Sequence, residues 1–539
     1  MKLFVVESPT KARTIQKFLG SEFQVRATLG HIKDLPEDEL GVDLKTLEAK
    51  YVFRKGKKKL VEELKRLASK AQEVYLGTDP DREGEAIAYF LKEELKKVNR
   101  KIKRATFYEI TPRAIYESIK NAGDLNINLV YAQFARRILD RLIGYLVSPV
   151  LWREFKNYHL SAGRVQSPAL RLIVEREREI QNFRVKKYYY VKVLLEKDGK
   201  RFYAYYDYRY ENPSDAKIIA KKIEKGFFSV SKIAQKREKV SPPKPFITSD
   251  LQAEANAKLG FSAEEAQRLA QELYEKGYIT YPRTDSYRMN EEKAKEFMKF
   301  IQDTLGKEYV GVLRKFRQKS ITQGAHECIR PTKVIPQINE REELNRLYEL
   351  IFRRTLASLA KEMLLLRQKV EIEVISPELR NPLKLVAKGL KIEFEGWSRI
   401  YPSDIEEEPL PDLEVGELLK PLRVEIEERK TQPPARYTEG TLVKTLEKLG
   451  IGRPSTYATI VKTLKERGYV QIKNKALIPT EIAFQVVDFL TENFPLLMDY
   501  KFTAIMEEKL DLVEEGKLSW KEVVYEFARM VLGEKLLSV

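Results

Sequence analysis

The first 125 residues alternate short apolar segments with helical ones, and this alternation constrains the fold more than any other feature of the sequence. Residues 2–6 form an apolar strand, and the Ser-Pro-Thr that follows opens a helix over residues 8–18. A second strand and helix are expected over residues 73–95, and a third pair over residues 104–121. Strands that alternate with helices indicate a parallel sheet covered by its crossover helices. We therefore predict a parallel α/β domain over residues 1–125.

An acidic cluster follows the second strand of this domain. Asp79, Asp81 and Glu83 are spaced two residues apart, which places them on one side of an extended turn. Parallel α/β sheets place their sites at the carboxyl ends of strands, and Glu7 ends the first strand nearby. Clustered carboxylates repel one another unless a cation lies between them, and Mg²⁺ prefers oxygen ligands. The cluster predicts a Mg²⁺ site, and the alternative is a solvated acidic turn that caps the next helix.

The rest of the chain divides into helical and β-rich stretches. Residues 126–186 and 396–539 are mainly helical, and we assign them to one discontinuous domain. Residues 187–246 and 363–395 are rich in β-forming side chains and are expected to build one β-rich domain. Residues 247–362 interrupt that domain as a helical insertion. A chain of 539 residues is too long for one hydrophobic core, so the prediction is a multidomain protein that combines α/β and α+β units.

The charge balance indicates a polyanionic partner. The chain has 98 lysines and arginines against 80 acidic residues, which gives a formal net charge of +18 and a pI near 9.4. A basic surplus of this size favours nucleic acid. The alternative is a thermophile surface, which is also rich in lysine and glutamate but does not require a net positive charge.

Several classes of protein and cofactor are not expected. Cys328 is the only cysteine, so the chain can form neither an internal disulfide nor a cysteine-based zinc site. The sequence has no G-x-x-x-x-G-K-[ST] phosphate loop, so ATP use is not expected. The N-terminus turns polar too soon for a signal peptide, and no apolar run approaches the about 18 residues of a membrane span. We expect a cytoplasmic protein with no membrane segment.

A second candidate site centres on Tyr281 and Arg283. The two residues are two positions apart, so an extended segment would direct both side chains the same way. A tyrosine with a pKa of about 10 is a weak nucleophile and needs help to attack a phosphate. A neighbouring guanidinium can hold the phosphate oxygens and stabilise the charge of the transition state. The alternative is that Tyr281 is one more packing residue among 28 tyrosines.

A third group of residues lies along one predicted helix. Arg136, Arg137, Asp140 and Tyr145 recur at spacings that bring side chains on successive helical turns together. Arginines on such a face can bind phosphates, and aromatic rings can stack on unpaired bases. The alternative is an ion-pair network between arginine and aspartate on a helix surface.

Six segments resemble type IA DNA topoisomerases. They are E-S-P-T-K-A at 7–12, T-D-P-D-R-E-G-E-A-I-A at 78–88, S-A-G-R-V-Q-S-P at 161–168, Y-I-T-Y-P-R-T-D-S at 278–286, A-H-E-C-I-R-P-T at 325–332 and G-I-G-R-P-S-T-Y-A at 450–458. The segments occur in that family's order and cover nearly the whole chain. H-E-C-I-R-P-T, together with P-P-A-R-Y-T-E-G, is more similar to bacterial topoisomerase I than to topoisomerase III.

The resemblance implies a role for each residue of the two catalytic segments. Tyr281 would form a 5′-phosphotyrosyl bond to one DNA strand, and Glu7 would handle the proton on the leaving 3′-oxygen. Lys11 and Arg283 would place positive charge on the scissile phosphate, and His326 would form a hydrogen bond near it. The Mg²⁺ ligands would be Asp79, Asp81 and Glu83, joined by Glu7.

The resemblance also implies a DNA-binding set beside the catalytic one. Single-stranded DNA would contact Arg136, Arg137, Asp140, Tyr145, Trp152, Arg164 and Gln166. His31 would line the DNA entrance, although it is almost as readily explained as a surface-loop histidine. Arg453 and Arg467 would contact the duplex side.

The implied architecture is a Rossmann-like Toprim domain, helical domains and a β-rich arch that form a toroidal clamp, without the zinc ribbons of many bacterial relatives. The implied enzyme is a monomer that relaxes negatively supercoiled DNA with Mg²⁺ and without ATP or zinc. Toprim domains also occur in primases and some nucleases, so one alternative is such an enzyme, for which Tyr281 is irrelevant. The other alternative is a non-enzymatic single-strand DNA-binding protein that ignores Mg²⁺.

Overall fold

The computed structural model describes residues 1–317 and 326–537. Within these residues, no helix is both long enough and apolar enough to cross a membrane. The N-terminal α/β domain comprises β1 Lys2–Val6, α1 Pro9–Leu19, β2 Phe23–Ala27, β3 Lys33–Asp34, β4 Val52–Phe53, α2 Lys57–Lys70, β5 Val74–Leu76, α3 Arg82–Leu95, β6 Ile102–Arg104 and α4 Pro112–Lys120.

The main sheet of this domain has four parallel strands in the order β2-β1-β5-β6. Strand β1 is buried on both faces, as its unbroken apolar run predicts for a parallel sheet. Leu3 and Val5 face one core together with helices of the same domain, whereas Phe4 and Val6 face a second core. Strand β6 ends at Arg104, whereas the third predicted strand–helix pair was expected to begin there, so that strand was placed slightly too late along the chain.

Two long helices follow, α5 Ile127–Phe155 and α6 Gln166–Asn182. They share one core with the C-terminal part of the chain, where Leu139 and Ile173 lie with Leu446 and Leu510. The C-terminal elements are α12 Glu439–Leu449, α13 Tyr457–Glu466, β13 Val470–Lys473, β14 Ala476–Pro479, α14 Glu481–Asn493, α15 Pro495–Met498, α16 Tyr500–Glu514 and α17 Trp520–Leu537.

The β-rich domain is a closed six-stranded barrel in the order β10-β11-β8-β7-β12-β9. Its elements are β7 Lys187–Lys197, β8 Lys200–Tyr206, α7 Pro213–Glu224, β9 Phe227–Val240, β10 Met363–Ile375, β11 Leu383–Phe394 and β12 Leu418–Lys430. Strands β9 and β10 pair antiparallel along their whole length, so the two β-rich stretches of the sequence lie in one sheet.

Strand β12 corrects the sequence assignment of residues 396–539, which placed the whole stretch in the helical domain. The strand pairs with β7 from Lys420 to Lys430 and with β9 at Leu418 and Leu419, and in this way it closes the barrel. Its charged residues alternate with Val424 and Ile426, a period of two that suits a strand with one face in the barrel. The many charged residues of this segment made the alternation hard to recognise in the sequence, so the strand was not predicted.

The insertion between β9 and β10 is helical, with α8 Thr248–Glu254, α9 Ala263–Glu275, α10 Glu291–Leu305 and α11 Glu342–Leu359. It packs directly against the N-terminal sheet, because Phe4 and Phe107 share one core with Leu273 and Phe297. This contact brings the extended segment between α9 and α10, which carries Tyr281, to the carboxyl end of the parallel strands.

Candidate active site

A buried arginine fixes the acidic loop that follows β5. Arg104 donates hydrogen bonds to the carbonyl oxygens of Leu76, Thr78 and Asp79 at 2.9–3.0 Å, and it pairs with Glu85 at 2.9 Å. These bonds satisfy backbone acceptors that the end of a strand leaves free. The loop is therefore held in one shape by the chain itself.

The first residues of α3 complete the shape of this loop. Asp81 caps the helix by accepting a hydrogen bond from the Gly84 amide at 2.8 Å, as an N-cap aspartate does. Gly84 is required here, because a Cβ at this position would lie 1.9 Å from the carbonyl oxygen of Asp79.

Glu7, Lys11 and Asp79 form a buried cluster where β1 and β5 end side by side. The Lys11 ammonium donates to Glu7 Oε2 and to Asp79 Oδ1, both at 2.9 Å, and its side chain is fully buried. The Asp79 amide donates to Glu7 Oε1 at 2.7 Å. Burial, with the negative charge of Asp79 second, raises the pKa of Glu7 to about 7. Glu7 can therefore hold a proton near neutral pH.

Tyr281 is buried at the same edge of the sheet. Its amide donates to the Tyr108 carbonyl at 2.8 Å, which attaches the segment to the end of the N-terminal sheet. Its hydroxyl donates to Asp81 Oδ2 at 2.5 Å, and only 2% of the residue is exposed. Burial, with the nearby Asp81 carboxylate adding to it, raises the pKa of Tyr281 well above its usual value. The phenol is therefore protonated and directed at the acidic loop.

Arg283 reaches the same carboxylate as Tyr281, as the two-residue spacing predicts. Its Nη1 lies 3.1 Å from Asp81 Oδ2 and 3.5 Å from Glu83 Oε2. Although burial acts to raise the pKa of Asp81, the Arg283 guanidinium and the Tyr281 hydrogen bond hold it below its usual value. Asp81 is therefore an anion that holds both Tyr281 and Arg283.

His326 lies beside Tyr281, with 6.1 Å between the ring centroids, and the Tyr108 ring packs against it at 4.9 Å. Burial lowers the pKa of His326 to about 4, so the imidazole is neutral. Its Nδ1 is buried and has no hydrogen-bond partner among residues 1–317 and 326–537, which leaves a polar atom available to a ligand. The residue lines a cavity of about 1060 Å³ that Asp81 and Arg283 also line.

The four predicted Mg²⁺ ligands form two sets in this conformation. Glu7 and Asp79 share Lys11, whereas Asp81 and Glu83 face Arg283. In residues 1–317 and 326–537, no three His, Cys, Asp or Glu side chains converge as a metal cluster. The donor set still suits a hard cation, because it consists only of carboxylate oxygens on neighbouring strand ends.

Four of the predicted DNA-binding residues line one groove. Arg137, Asp140, Tyr145 and Trp152 surround a cavity of about 450 Å³ along α5. Tyr145 is 40% exposed, and the Arg137 guanidinium binds Asp34 at 2.8 Å while keeping about a third of its side chain exposed. The groove therefore offers both cationic and aromatic groups to solvent.

Arg136, Arg164 and Arg453 do not line this groove, because each pairs with an acidic side chain of α16. Arg136 donates to Glu507 at 2.7 Å, and Arg164 pairs with the same buried carboxylate. Arg453 pairs with Asp511 at 2.7 Å, one turn further along α16. The sequence did not predict this burial, because the acidic partners lie more than 300 residues from Arg136 and Arg164 along the chain.

The remaining predicted residues lie in three places. His31 is half-buried in a loop whose Gly30 amide donates to the Glu7 carbonyl at 3.0 Å. Gln166 donates to Ser161 at 3.0 Å at the start of α6. Arg467 is exposed at the end of α13.

Two further residues contact the acidic loop and were not predicted. Gln271 on α9 donates to Asp79 Oδ2 at 3.2 Å. Arg82 donates to Ser455 at 2.7 Å and lies 3.4 Å from Glu514, so it joins the loop to the C-terminal helices. The position of Arg82 inside the D-P-D-R-E segment was the available signal, whereas nothing in the sequence marked Gln271.

Comparisons with known proteins agree with this geometry. Residues 2–110 match the Toprim domain model, and residues 124–525 match the DNA topoisomerase model. The chain is 76% identical over 539 residues to DNA topoisomerase 1 of Aquifex aeolicus (strain VF5), and the match covers all of both chains. It superposes on full-length topoisomerase I from Thermotoga maritima with a TM-score of 0.86 and 40% identity, covering 98% of this chain and 89% of that one. The chain therefore belongs to the type IA DNA topoisomerases, in the bacterial topoisomerase I subfamily.

Proposed function

We propose that this topoisomerase cuts one strand of DNA with Tyr281, passes a strand through the break and reseals it without ATP, so that negatively supercoiled DNA relaxes. One observation carries the proposal. The Tyr281 hydroxyl, the Arg283 guanidinium and the acidic loop meet within 2.5–3.5 Å at a strand edge that also holds Glu7 and Lys11. A buried phenol and a guanidinium on one carboxylate suit phosphoryl transfer better than core packing.

The cleavage step follows from these positions. The Tyr281 oxygen attacks the scissile phosphorus and gives its proton to the Asp81 carboxylate that it already contacts. A bond forms between the oxygen and phosphorus, and the bond from phosphorus to the 3′-oxygen breaks. The leaving 3′-oxygen takes a proton from Glu7, whose raised pKa of about 7 keeps that proton available. Resealing is the reverse reaction: the 3′-hydroxyl attacks phosphorus and returns its proton to Glu7, the bond from phosphorus to the Tyr281 oxygen breaks, and that oxygen takes a proton back from Asp81. Because that bond retains the phosphodiester energy, resealing needs no outside source.

Three further groups surround the phosphate in this proposal. Lys11 and Arg283 offset the negative charge that develops on the phosphate oxygens. His326 is neutral, and its buried Nδ1 has no partner in the part of the chain that the structure describes, so it is suited to a hydrogen bond with a phosphate oxygen.

We propose that Glu7, Asp79, Asp81 and Glu83 supply the oxygen ligands for Mg²⁺. The ion would add positive charge at the scissile phosphate and help to hold the two DNA ends for resealing. Lys11 already offsets the charge of Glu7 and Asp79 in the absence of metal. Cleavage is therefore expected to depend less on metal than resealing does.

The groove along α5 is the proposed path of the single-stranded segment. Arg137 would contact phosphates, and Tyr145 and Trp152 would stack on unpaired bases, beside Asp140. Arg136 and Arg164 would support the groove from behind, and Gln166 would act at its end. His31 remains proposed for the DNA entrance, and Arg453 and Arg467 for the duplex side. We also propose that the enzyme acts as a cytoplasmic monomer.

The test is relaxation of negatively supercoiled plasmid with Mg²⁺ and without ATP. Wild type is expected to relax the plasmid, and Tyr281→Phe is expected to lose all activity because the nucleophilic oxygen is gone. Tyr278→Phe is the matched control, because Tyr278 lies three residues before Tyr281 and its hydroxyl donates to Glu340 at 3.0 Å rather than to the acidic loop. This variant is expected to stay active. DNA cutting without a covalent protein adduct would instead indicate a Toprim nuclease, and DNA binding alone would indicate a non-enzymatic protein.

A further inference from the structure

The barrel carries more tyrosine than its core requires. Eight of the chain's 28 tyrosines fall within residues 188–210, on β7, β8 and the loop after them. The interior is filled instead by other apolar side chains, which are mostly Val, Leu, Ile and Ala together with Phe202 and Phe228. Tyr189, Tyr206 and Tyr210 pack against the edge of this core. The remaining tyrosines need another explanation.

Four of these tyrosines lie on one outward side of the sheet. Alternation along β7 puts Tyr188 and Tyr190 opposite the side chains of Val191 and Val193, which point inward. The register pairs Lys192 with Tyr205, and Leu194 with Tyr203, so β8 adds its rings to the same side. We call this surface the tyrosine face. It consists of Tyr188, Tyr190, Tyr203 and Tyr205 with the cations Lys192, Arg209 and Arg429.

Each ring of the tyrosine face has a cation beside it. Arg209 lies 4.2 Å from the centre of the Tyr188 ring, and Lys192 lies 4.2 Å from that of Tyr203. Glu427 on β12 pairs with Lys192 at 3.3 Å, whereas no carboxylate among the described residues pairs with Arg209. Glu427 also pairs with Arg429 at 2.6 Å, so Arg209 is the cation of this face that has no carboxylate partner in the described residues. Residues 184–211 carry eight lysines and arginines against four acids, which gives this segment a net positive charge.

We propose that the tyrosine face binds an unpaired DNA strand away from the cleavage site. Aromatic rings stack on bases of any sequence, and nearby cations contact the backbone phosphates. Stacking on a base is worth more than an exposed cation–π contact, so a strand can displace Arg209 from the Tyr188 ring. The displaced guanidinium can then bind a phosphate. Stacking on the ring and binding of the cation to a phosphate both favour nucleic acid over an uncharged partner.

The expected ligand is single-stranded rather than double-stranded DNA. Duplex DNA hides the faces of its bases, so it cannot use the rings. Underwound DNA supplies unpaired strands, and the groove along α5 takes up only one of them. The inference thus goes beyond the proposed cleavage function and rests on it only in taking DNA as the substrate.

The test compares single-strand binding by full-length variants, measured as fluorescence anisotropy. The double variant Tyr188→Ala/Tyr203→Ala is expected to bind an oligonucleotide of roughly 40 nucleotides at least about tenfold more weakly than wild type does. Its affinity for an oligonucleotide of roughly 8 nucleotides is expected to equal that of wild type. Tyr188→Phe/Tyr203→Phe keeps the rings and is expected to match wild type. Tyr525→Ala is the control, because that tyrosine is 49% exposed on α17, outside the tyrosine face.

Arg209→Ala keeps the test decisive if the double alanine variant fails to fold. Arg209 makes no ion pair in the described part of the chain, so its loss is expected to spare the barrel and to lower the salt slope of binding by about 0.7. Unchanged affinity and slope in both variants would overturn the proposal. An equal loss of affinity for duplex DNA of the same length would also overturn the proposal. So would a changed sedimentation coefficient with unchanged DNA affinity, because that result would indicate contact between copies of the chain. Relaxation and Tyr281 adducts would persist if only this inference failed.

Discussion

Two neighbouring arginines on α5 are expected to respond in opposite ways to the same truncation. Arg136 is buried, with 7% of its side chain exposed, and it donates to Glu507 at 2.7 Å and to Asp511 at 3.0 Å. Arg137 keeps 31% of its side chain exposed and lines the groove proposed for the single strand. Arg136→Ala is therefore expected to lower stability, and Arg137→Ala to weaken DNA binding.

The size of each effect follows from the contacts. Removing one partner of a buried ion pair costs roughly 3–5 kcal/mol. Glu507 keeps Arg164 and has Arg453 at 3.9 Å, so the lower end, about 3 kcal/mol, is expected. For a domain of roughly 150–250 residues this lowers the melting temperature by about 6–12 °C. Losing one phosphate contact through Arg137→Ala reduces the salt slope of single-strand binding by about 0.7.

Two measurements check both arms of this prediction. Calorimetry of each variant gives the melting temperature of the helical domain, and titration of single-stranded DNA at several salt concentrations gives the slope. Arg137→Ala is expected to melt near wild type, and Arg136→Ala is expected to keep the wild-type slope. If Arg136→Ala flattens the slope as much as Arg137→Ala while melting at the wild-type temperature, Arg136 reaches DNA and the reasoning from burial is refuted.

Three further predictions concern the catalytic edge of the sheet. Chelating Mg²⁺, or changing Asp79 and Asp81 together to Ala, is expected to abolish relaxation but leave some covalent cleavage of single-stranded oligonucleotide on a denaturing gel; full relaxation would contradict the metal site. With chelator present, formation of the covalent adduct is expected to slow as pH rises through about 7, because the raised pKa of Glu7 keeps this proton donor protonated below that pH. The Glu7→Gln variant is expected to form the adduct slowly at every pH. Gly84→Ala is expected to slow relaxation at least about tenfold, which corresponds to ~1.4 kcal/mol, because its Cβ would displace the Asp79 carbonyl; a wild-type rate would contradict this.

Local sequence patterns were enough to predict the N-terminal sheet and the neighbourhood of the catalytic tyrosine. The strand over residues 2–6 is apolar on both faces, and the structure confirms it as β1 within a parallel sheet. The two-residue spacing of Tyr281 and Arg283 predicted a shared direction, and both side chains reach Asp81. The apolar strand and the shared direction of the two side chains depend on a few neighbouring residues, so local spacing was enough to predict them.

Features that depend on distant partners were not predictable in the same way. Arg136 and Arg137 are adjacent and chemically alike, yet only the fold brings Glu507 to one and Asp34 to the other. Lys11 reaches Asp79 because the first turn of α1 lies beside the loop that follows β5, and no local pattern encodes this contact. Strand β12 was missed because its charged side chains pair with lysines of the neighbouring strand β7 rather than mark a surface helix.

The identity of the residue that becomes attached to DNA tests the central claim most directly. Wild-type enzyme would be trapped by denaturant on a single-stranded oligonucleotide that carries a label on one end, and the adduct would then be digested with protease and nuclease for mass spectrometry. Our account predicts one modified peptide, with the 5′-phosphate of the DNA on Tyr281, and no adduct from Tyr281→Phe. A phosphate on another residue, attachment through a 3′-phosphate, or a normal adduct from Tyr281→Phe would contradict it.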